Sequence, residues 1–256
     1  MKLTVVIPTY NEKDNLPKMA AALFALPVSE LHLLVVDDNS PDGTGQLAEA
    51  LSDKYNGRIS VLHRQGKLGL GTAYVEGFQQ ALSEGAEAIC QMDADFSHSP
   101  EKIVELLAAL QYSDLALGSR YVEGGQLDEK WPFWRKALSS FGNFYSRAIL
   151  RMNVKDVTGG FRIWRREALL GMPIEQIQAS GYAFQVEMAY IAHRLGYTIS
   201  ETPIYFAERE EGVSKMSLKI QIEAAVRVWE LIFDYSGLRP ETAHRRIQLM
   251  AKLWNA

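Results

Sequence analysis

Ala88-Ile89-Cys90-Gln91-Met92-Asp93-Ala94-Asp95-Phe96-Ser97-His98-Ser99-Pro100 is a short apolar run that ends abruptly in two carboxylates one residue apart. The run reads as a buried strand. Ser99, Pro100 and Glu101 then carry a helix-start signature, with Ser99 as the cap, Pro100 at the first position and an acid in the first turn. If the chain is still extended at the acids, Asp93 and Asp95 point the same way, because side chains on a strand alternate with a period of two. Converging carboxylates repel unless a cation sits between them. Hard oxygen ligands favour Mg2+ or Mn2+, ions that keep open positions for substrate phosphates. The plain alternative is a strand end followed by an acidic, solvated turn, so the neighbouring segments have to decide.

Those segments repeat one pattern. Leu3 to Ile7 is a β-branched run stopped by Pro8-Thr9-Tyr10-Asn11-Glu12, with a helix expected over about 15–26. Leu31 to Val36 is continuously apolar and ends in Asp37-Asp38-Asn39-Ser40-Pro41-Asp42-Gly43-Thr44. Helices are expected over about 44–55, 72–84 and 100–111, with strands at 59–62 and near Asp114 to Arg120. Continuously apolar strands alternating with helices predict an α/β fold with a mostly parallel sheet covered on both faces. Ligands of such sheets bind beyond the carboxyl ends of the strands. Tyr10 and Glu12, Asp37 and Asp38, Asp93 and Asp95, and Arg120 all fall at such ends.

Several other chemistries are excluded. Gly66, Gly69 and Gly71 do not have the spacing of a dinucleotide fingerprint, and the first strand-to-helix turn has no glycine. They mark instead a close backbone approach, with the nucleotide as one candidate neighbour. The chain has no P-loop, no paired cysteines and no H-E-x-x-H. Cys90 is the single cysteine and reads as a small core hydrophobe. A net charge of −4 gives no general attraction to nucleic acid. Without a signal-peptide pattern or a charge-free window of spanning length, the expectation is a cytoplasmic protein.

Taken together the motifs resemble the family 2, GT-A-type glycosyltransferases, and within them the dolichol-phosphate (polyprenol-phosphate) mannose synthases. The resemblance covers about residues 1–220. Pro8 to Glu12, Asp37 to Thr44, Gly69 to Tyr74, Met92 to His98 and Gly118 to Tyr121 match motifs shared across family 2. Thr158 to Arg162, Ser180 to Met188 and Arg209 to Lys215 match the more specific group. The resemblance implies that Pro8, Tyr10, Glu12 and Asp38 line the base and ribose pocket, and that Asp93, Ala94 and Asp95 meet the donor diphosphate. Asp93 and Asp95 would hold the Mg2+ or Mn2+. Some relatives carry Gln at position 97; Ser97 here departs from that and weakens any role for it as a ligand.

The acceptor implied is a polyprenyl monophosphate. Its second pKa near 6 leaves it largely dianionic at neutral pH, so it needs positioning and cations rather than a general base. Arg120, Arg135, Arg209 and Lys215 are the candidate cations, and Ser139, one turn after Arg135, adds a hydroxyl. Arg209 serves equally well on the donor diphosphate. Gln185 and Glu187 fall in the segment expected to select the sugar, with Glu187 holding a sugar hydroxyl or anchoring Arg162. The expected reaction is inverting mannosyl transfer from GDP-mannose. The alternatives are a UDP-sugar donor such as UDP-glucose, or a silent sugar-nucleotide-binding module.

Residues 221–256 lie outside the resemblance and are expected to form a helical extension to a catalytic domain of residues 1–220. Ile247, Met250, Ala251 and Trp254 make an apolar stripe at helical spacing, read as a core or partner face before a membrane face. Peripheral membrane attachment is expected through Trp131 to Trp134 and this last helix, with a separate membrane subunit as a possible partner.

Overall fold

The computed structural model describes residues 1–177, 179, 181–208 and 218–254. The first half runs β1 (Leu3–Thr9), α1 (Leu16–Phe24), β2 (Leu31–Asp37), α2 (Thr44–Lys54), β3 (Ile59–His63), α3 (Leu70–Ser83) and β4 (Ala88–Gln91). It continues with α4 (Lys102–Ala109), β5 (Leu115–Ser119), β6 (Gln126–Leu127), α5 (Phe133–Leu150) and β7 (Arg162–Arg165). The last part is α6 (Arg166–Gly171), α7 (Tyr182–Arg194), β8 (Ile199–Pro203), β9 (Tyr205–Phe206), α8 (Leu218–Asp234) and α9 (Pro240–Trp254).

Among the described residues, one sheet of seven strands has the order β3-β2-β1-β4-β7-β5-β8. β7 runs antiparallel to both of its neighbours, and the other pairings in the sheet are parallel. The expected α/β, mostly parallel sheet is therefore present. Its strand order turns outward on both sides of β1, toward β2 and toward β4, which makes a crevice at the carboxyl ends of β1 and β4. β6 and β9 form a separate two-stranded parallel ribbon.

The strands are apolar on both faces, yet each side chain still belongs to one face. Val6, Leu34, Val36 and Ile89 pack with Tyr74 and Phe78 of α3 and with α6 to α8. Val5, Ile7, Leu33, Val35 and Cys90 pack with α1, α2 and α4 on the other face. α3 crosses the sheet very closely: a Cβ on Gly77 would come within 2.5 Å of Val6. Val228, Leu231, Tyr235 and Ala243 of the C-terminal region belong to the same core as the sheet.

One local expectation needs correction. α4 begins at Lys102, because Pro100 and Glu101 form a turn bonded through the Ser99 and Pro100 carbonyls. The Ser99 hydroxyl bonds to Glu101 at 3.4 Å instead of capping a backbone N–H. In α9 the core face read from the stripe is present at Ile247 and Met250, which pack on the core, and Ala243 sits over Gly171. No described helix is long and apolar enough to cross a membrane.

Candidate active site

The strand ends meet as tight turns held by left-handed residues. Asn11 after β1, Asn39 after β2 and Phe96 after β4 all have φ near +60° (62°, 58° and 57°). Asparagine tolerates this conformation, whereas for phenylalanine it costs of order 1–3 kcal/mol and persists only where the surroundings enforce it. Phe96 directly follows Asp95, so the strain lies at the acidic motif.

β4 ends at Gln91, so Asp93 and Asp95 are presented by a turn rather than by an extended strand. The alternation argument does not apply to them; local hydrogen bonds fix them instead. Asp95 Oδ1 accepts from the Ser97 N–H at 3.0 Å and from the Ser97 hydroxyl at 2.6 Å. Ser97 is thus the orienting partner of Asp95. The Asp93 N–H donates to His98 Nδ1 at 3.3 Å, and the Tyr74 hydroxyl reaches Asp93 Oδ1 at 3.5 Å. Burial lowers the His98 pKa, despite the nearby acids, so the ring is neutral at neutral pH and can accept this bond. Burial raises the Tyr74 pKa well above its ordinary value, and Asp93 adds to the effect.

The expected donor residues line the neighbouring strand ends. Pro8 is in β1, and Tyr10 is half-exposed with Lys67 Nζ 4.1 Å from its ring centre. Asp37 and Asp38 have separate jobs. Asp37 is a buried latch that accepts from Thr9 Oγ1 at 3.0 Å and from the Ser40 hydroxyl at 2.6 Å. Asp38 ion-pairs with the buried Arg64, which also donates to Glu76 at 3.1 Å and Thr72 at 2.6 Å. Burial raises the Asp38 pKa, against the opposing pull of Arg64. Glu12 accepts from Asn15 Nδ2 at 2.9 Å, and its own N–H donates to Thr44 Oγ1 at 3.0 Å. Ala94 is buried between the two acids. The close backbone approach at the glycine turn is made to protein: a Cβ on Gly71 would lie 2.5 Å from the Ala179 carbonyl oxygen.

On the far side of the crevice, Arg120, Arg135 and Ser139 line one cavity of about 520 Å³ between α5 and α8. Its inner wall is apolar, with Leu138, Phe141, Val228 and Leu231 among the lining residues. Arg120 is gripped by Asp156, with Nε to Oδ2 and Nη2 to Oδ1 both at 2.7 Å, and also donates to Thr158 at 2.7 Å. Arg135 lies 3.6 Å from the Trp131 ring centre and donates to Glu208 at 3.1 Å. Ser139 shares a 2.8 Å hydrogen bond with the Tyr121 hydroxyl. Phe206 links cavity and acidic turn, because it lines the cavity and meets His98 edge-on at 5.3 Å. Arg209 and Lys215 lie outside the described residues.

The sugar-selecting segment holds two surprises. Gln185 is buried in a relay, accepting from Gln91 at 2.8 Å while Gln91 accepts from Trp164 at 3.0 Å. Glu187 does not anchor Arg162. It is fully buried and accepts from Arg227 at 2.8 Å, Tyr235 at 2.7 Å and the Ala179 N–H at 2.9 Å. Arg162 bonds instead to the Gly159 and Val157 carbonyls, both at 2.9 Å. Trp131 is also not an exposed anchor: it is 8% exposed beneath Arg135, whereas Phe133 and Trp134 are 86% and 66% exposed.

Residues 4–171 match the family described as Glycosyl transferase family 2. The chain belongs to this family. It is 45% identical over 228 residues to a polyprenol monophosphomannose synthase from Mycolicibacterium smegmatis, covering 88% of this chain and 85% of that one. It is 44% identical over 242 residues to an undecaprenyl-phosphate mannosyltransferase from Micrococcus luteus, covering 93% and 98%. Among solved structures, glucosyl-3-phosphoglycerate synthase from Mycobacterium tuberculosis in complex with Mn2+, uridine diphosphate and phosphoglyceric acid superposes with a TM-score of 0.65. That match has 18% identity and covers 93% of this chain and 79% of that one, and it shows a shared GT-A fold.

Sequence reasoning about this family 2 chain missed Arg64, Asp156, Tyr235 and Arg227. Each partners a residue that the motifs do reveal. For Asp156 a signal was present, an acid two residues before Thr158 in a quoted motif. For Arg227 and Tyr235 there was none, since they lie beyond the span of the resemblance.

Proposed function

We propose that this chain transfers mannose, with inversion, from GDP-mannose to a polyprenyl monophosphate, giving a β-linked polyprenyl phosphate mannose and GDP. The observation that carries the reading is the cavity between α5 and α8. Cations and hydroxyls from Arg120, Arg135, Ser139 and Thr158 suit a phosphate, and the apolar wall beyond them suits an isoprenoid tail. The two relatives at 45% and 44% identity are named for this acceptor and sugar.

The chemistry then needs little from the protein beyond placement. An acceptor phosphate oxygen attacks the sugar C1, the bond from C1 to the GDP oxygen breaks, and GDP leaves with the bonding electrons. The nucleophile is already an anion, so no side chain has to remove a proton. Arg120 and Arg135 offset the repulsion between two anionic substrates and aim the attacking oxygen. Pro8, Tyr10, Glu12 and Asp38 hold the nucleoside, and Gln185 sits beneath the sugar.

Asp93 and Asp95 fit a hard divalent ion. Both offer carboxylate oxygens, and Ser97 and His98 fix their turn before any ion arrives. Among the described residues no group of three or more His, Cys, Asp or Glu stands ready for a metal, so phosphate oxygens and water would complete the shell. When bound, Mg2+ or Mn2+ neutralises charge on the departing diphosphate. Residues 1–220 form the catalytic body in this reading, and from the extension of residues 221–256 Ala224, Arg227, Val228 and Leu231 of α8 supply one wall of the acceptor cavity.

The reading includes peripheral attachment to a membrane. Phe133, Trp134, Phe141 and Phe144 of α5 and Ile222, Val226, Trp229 and Phe233 of α8 are exposed. α5 and α8 are tied together by the Trp229 to Tyr145 hydrogen bond at 3.0 Å. They flank the cavity, so a lipid could pass from bilayer to site without crossing water. The test is a transfer assay with labelled GDP-mannose or UDP-glucose, undecaprenyl phosphate and Mg2+ or Mn2+, with EDTA as control. Chelator-sensitive mannosyl lipid supports the reading; glucosyl lipid, or no lipid product from folded protein, overturns it.

A further inference from the structure

Glu187 divides its buried carboxylate among three elements. Oε1 accepts from Arg227 Nη2 at 2.8 Å and from the Tyr235 hydroxyl at 2.7 Å, while Oε2 accepts from the Ala179 N–H at 2.9 Å. Arg227 belongs to α8 and lines the cavity next to Val228 and Leu231. Its second nitrogen, Nη1, donates to Glu230 at 3.1 Å and Asp234 at 2.7 Å. One guanidinium therefore faces three carboxylates, and its planar fork lets it serve α7 and α8 together.

The other side of Glu187 leads to the donor strand ends. The Ala179 carbonyl presses on Gly71 at the start of α3, where a Cβ would fit only 2.5 Å away. The next residue, Thr72, accepts from Arg64 at 2.6 Å, and Arg64 ion-pairs with Asp38. An unbroken series of bonds and contacts thus runs from the cavity wall to the donor pocket.

We propose that Arg227 is a positioning residue that couples the acceptor cavity to the donor pocket by holding Glu187, and through it Ala179, in register with α8. The inference rests on the functional reading above. A lipid lying along α8 would order the helix that carries Arg227. The same network fixes Ala179 against α3, whose Thr72 shares Arg64 with Asp38, so each substrate would favour the arrangement that the other needs. Such coupling is reciprocal, and typical values are about 5–150-fold in affinity.

The test measures GDP affinity by calorimetry with and without farnesyl phosphate, a pair that binds without turnover, beside kcat and KM for mannosyl transfer. In the unaltered protein, farnesyl phosphate should tighten GDP at least about 5-fold. R227K keeps the charge but loses the fork. It should abolish the tightening, leave GDP affinity alone within about 2-fold, and lower kcat about 10-fold with little change in donor KM. R227M alone would strand a buried carboxylate, so the double variant R227M/E187Q, which removes both charges, serves as the folding-competent control and should also lack coupling. Coupling that persists in R227K and the double variant overturns the inference while mannosyl transfer by the unaltered protein keeps the functional reading intact. Unaltered protein that turns over without coupling overturns it equally. Unaltered, folded protein that binds neither GDP nor farnesyl phosphate overturns the functional reading and this inference with it.

Discussion

Asp156 holds Arg120 at three points: the guanidinium bridges both carboxylate oxygens at 2.7 Å, and the Arg120 N–H reaches Oδ2 at 3.0 Å. Both side chains are buried, and the Asp156 N–H is in turn tied to Glu201 at 2.9 Å. The cation at the cavity mouth is therefore oriented before any phosphate arrives.

Asp156→Asn should lower stability by about 3–5 kcal/mol, because a buried cation loses its counter-charge. It should also raise the acceptor KM about 10-fold by loosening Arg120. Burial alone would raise the Asp156 pKa, but the charge and hydrogen bonds of Arg120 outweigh it and the pKa is lowered. A depressed carboxylate pKa contributes stability that is fully present above the unfolded value, about 4, and is lost as pH falls through the folded value. Urea unfolding should show a gap between wild type and variant that is constant above about pH 5 and closes in stronger acid. A gap that stays constant in acid would contradict this account.

Asp95→Asn should leave the fold intact, since its Oδ1 can still accept from Ser97. Metal-dependent transfer should drop by at least about 100-fold, with Mn2+ binding weakened to match. Retained turnover with retained Mn2+ binding, followed by titration of the Mn2+ electron paramagnetic resonance signal, would remove Asp95 from the metal site.

Gly71→Ala should destabilise the protein by about 1–3 kcal/mol, since the added carbon collides with backbone at Ala179 and with the Phe184 ring. Thermal unfolding measures it. An unchanged midpoint would mean that Ala179 and Phe184 are not tightly packed on α3.

The exposed aromatic face makes a separate prediction. Trp134→Ser combined with Phe233→Ser should release the protein from anionic liposomes in flotation, since burying each such side chain contributes about 1.5–3 kcal/mol. Trp131→Phe should not, because Trp131 packs inside under Arg135. Equal flotation of all three proteins would locate the membrane contact elsewhere.

The strands and their polar ends were legible because a run such as Leu31 to Val36 has one physical solution, a strand buried on both faces. The acids after β1, β2 and β4 and Arg120 after β5 followed from that frame. Side-chain pairing was not legible. Arg64 meets Asp38 across 26 positions, Asp156 meets Arg120 across 36, and Arg227 and Tyr235 meet Glu187 across 40 and 48. Only the folded sheet and its covering helices bring these together. The helix start at Ser99 misled for a local reason: the Ser99 hydroxyl bonds to the Glu101 carboxylate instead of a backbone N–H, and α4 begins only at Lys102. The α9 stripe was legible as a core face, and Ile247 and Met250 do pack on the core; the burial of Trp131 was not, because nothing in the sequence separates it from its exposed neighbours Phe133 and Trp134.

The measurement that tests the central claim most directly compares undecaprenyl phosphate with undecaprenol as acceptors for labelled GDP-mannose, with the anomeric linkage of the product read by NMR. The account predicts a β-mannosyl phosphodiester from the phosphate and no product from the alcohol, because only the phosphate arrives as a nucleophile that is already an anion. Mannosyl transfer to the alcohol at a comparable rate, or an α-linked product, would contradict it.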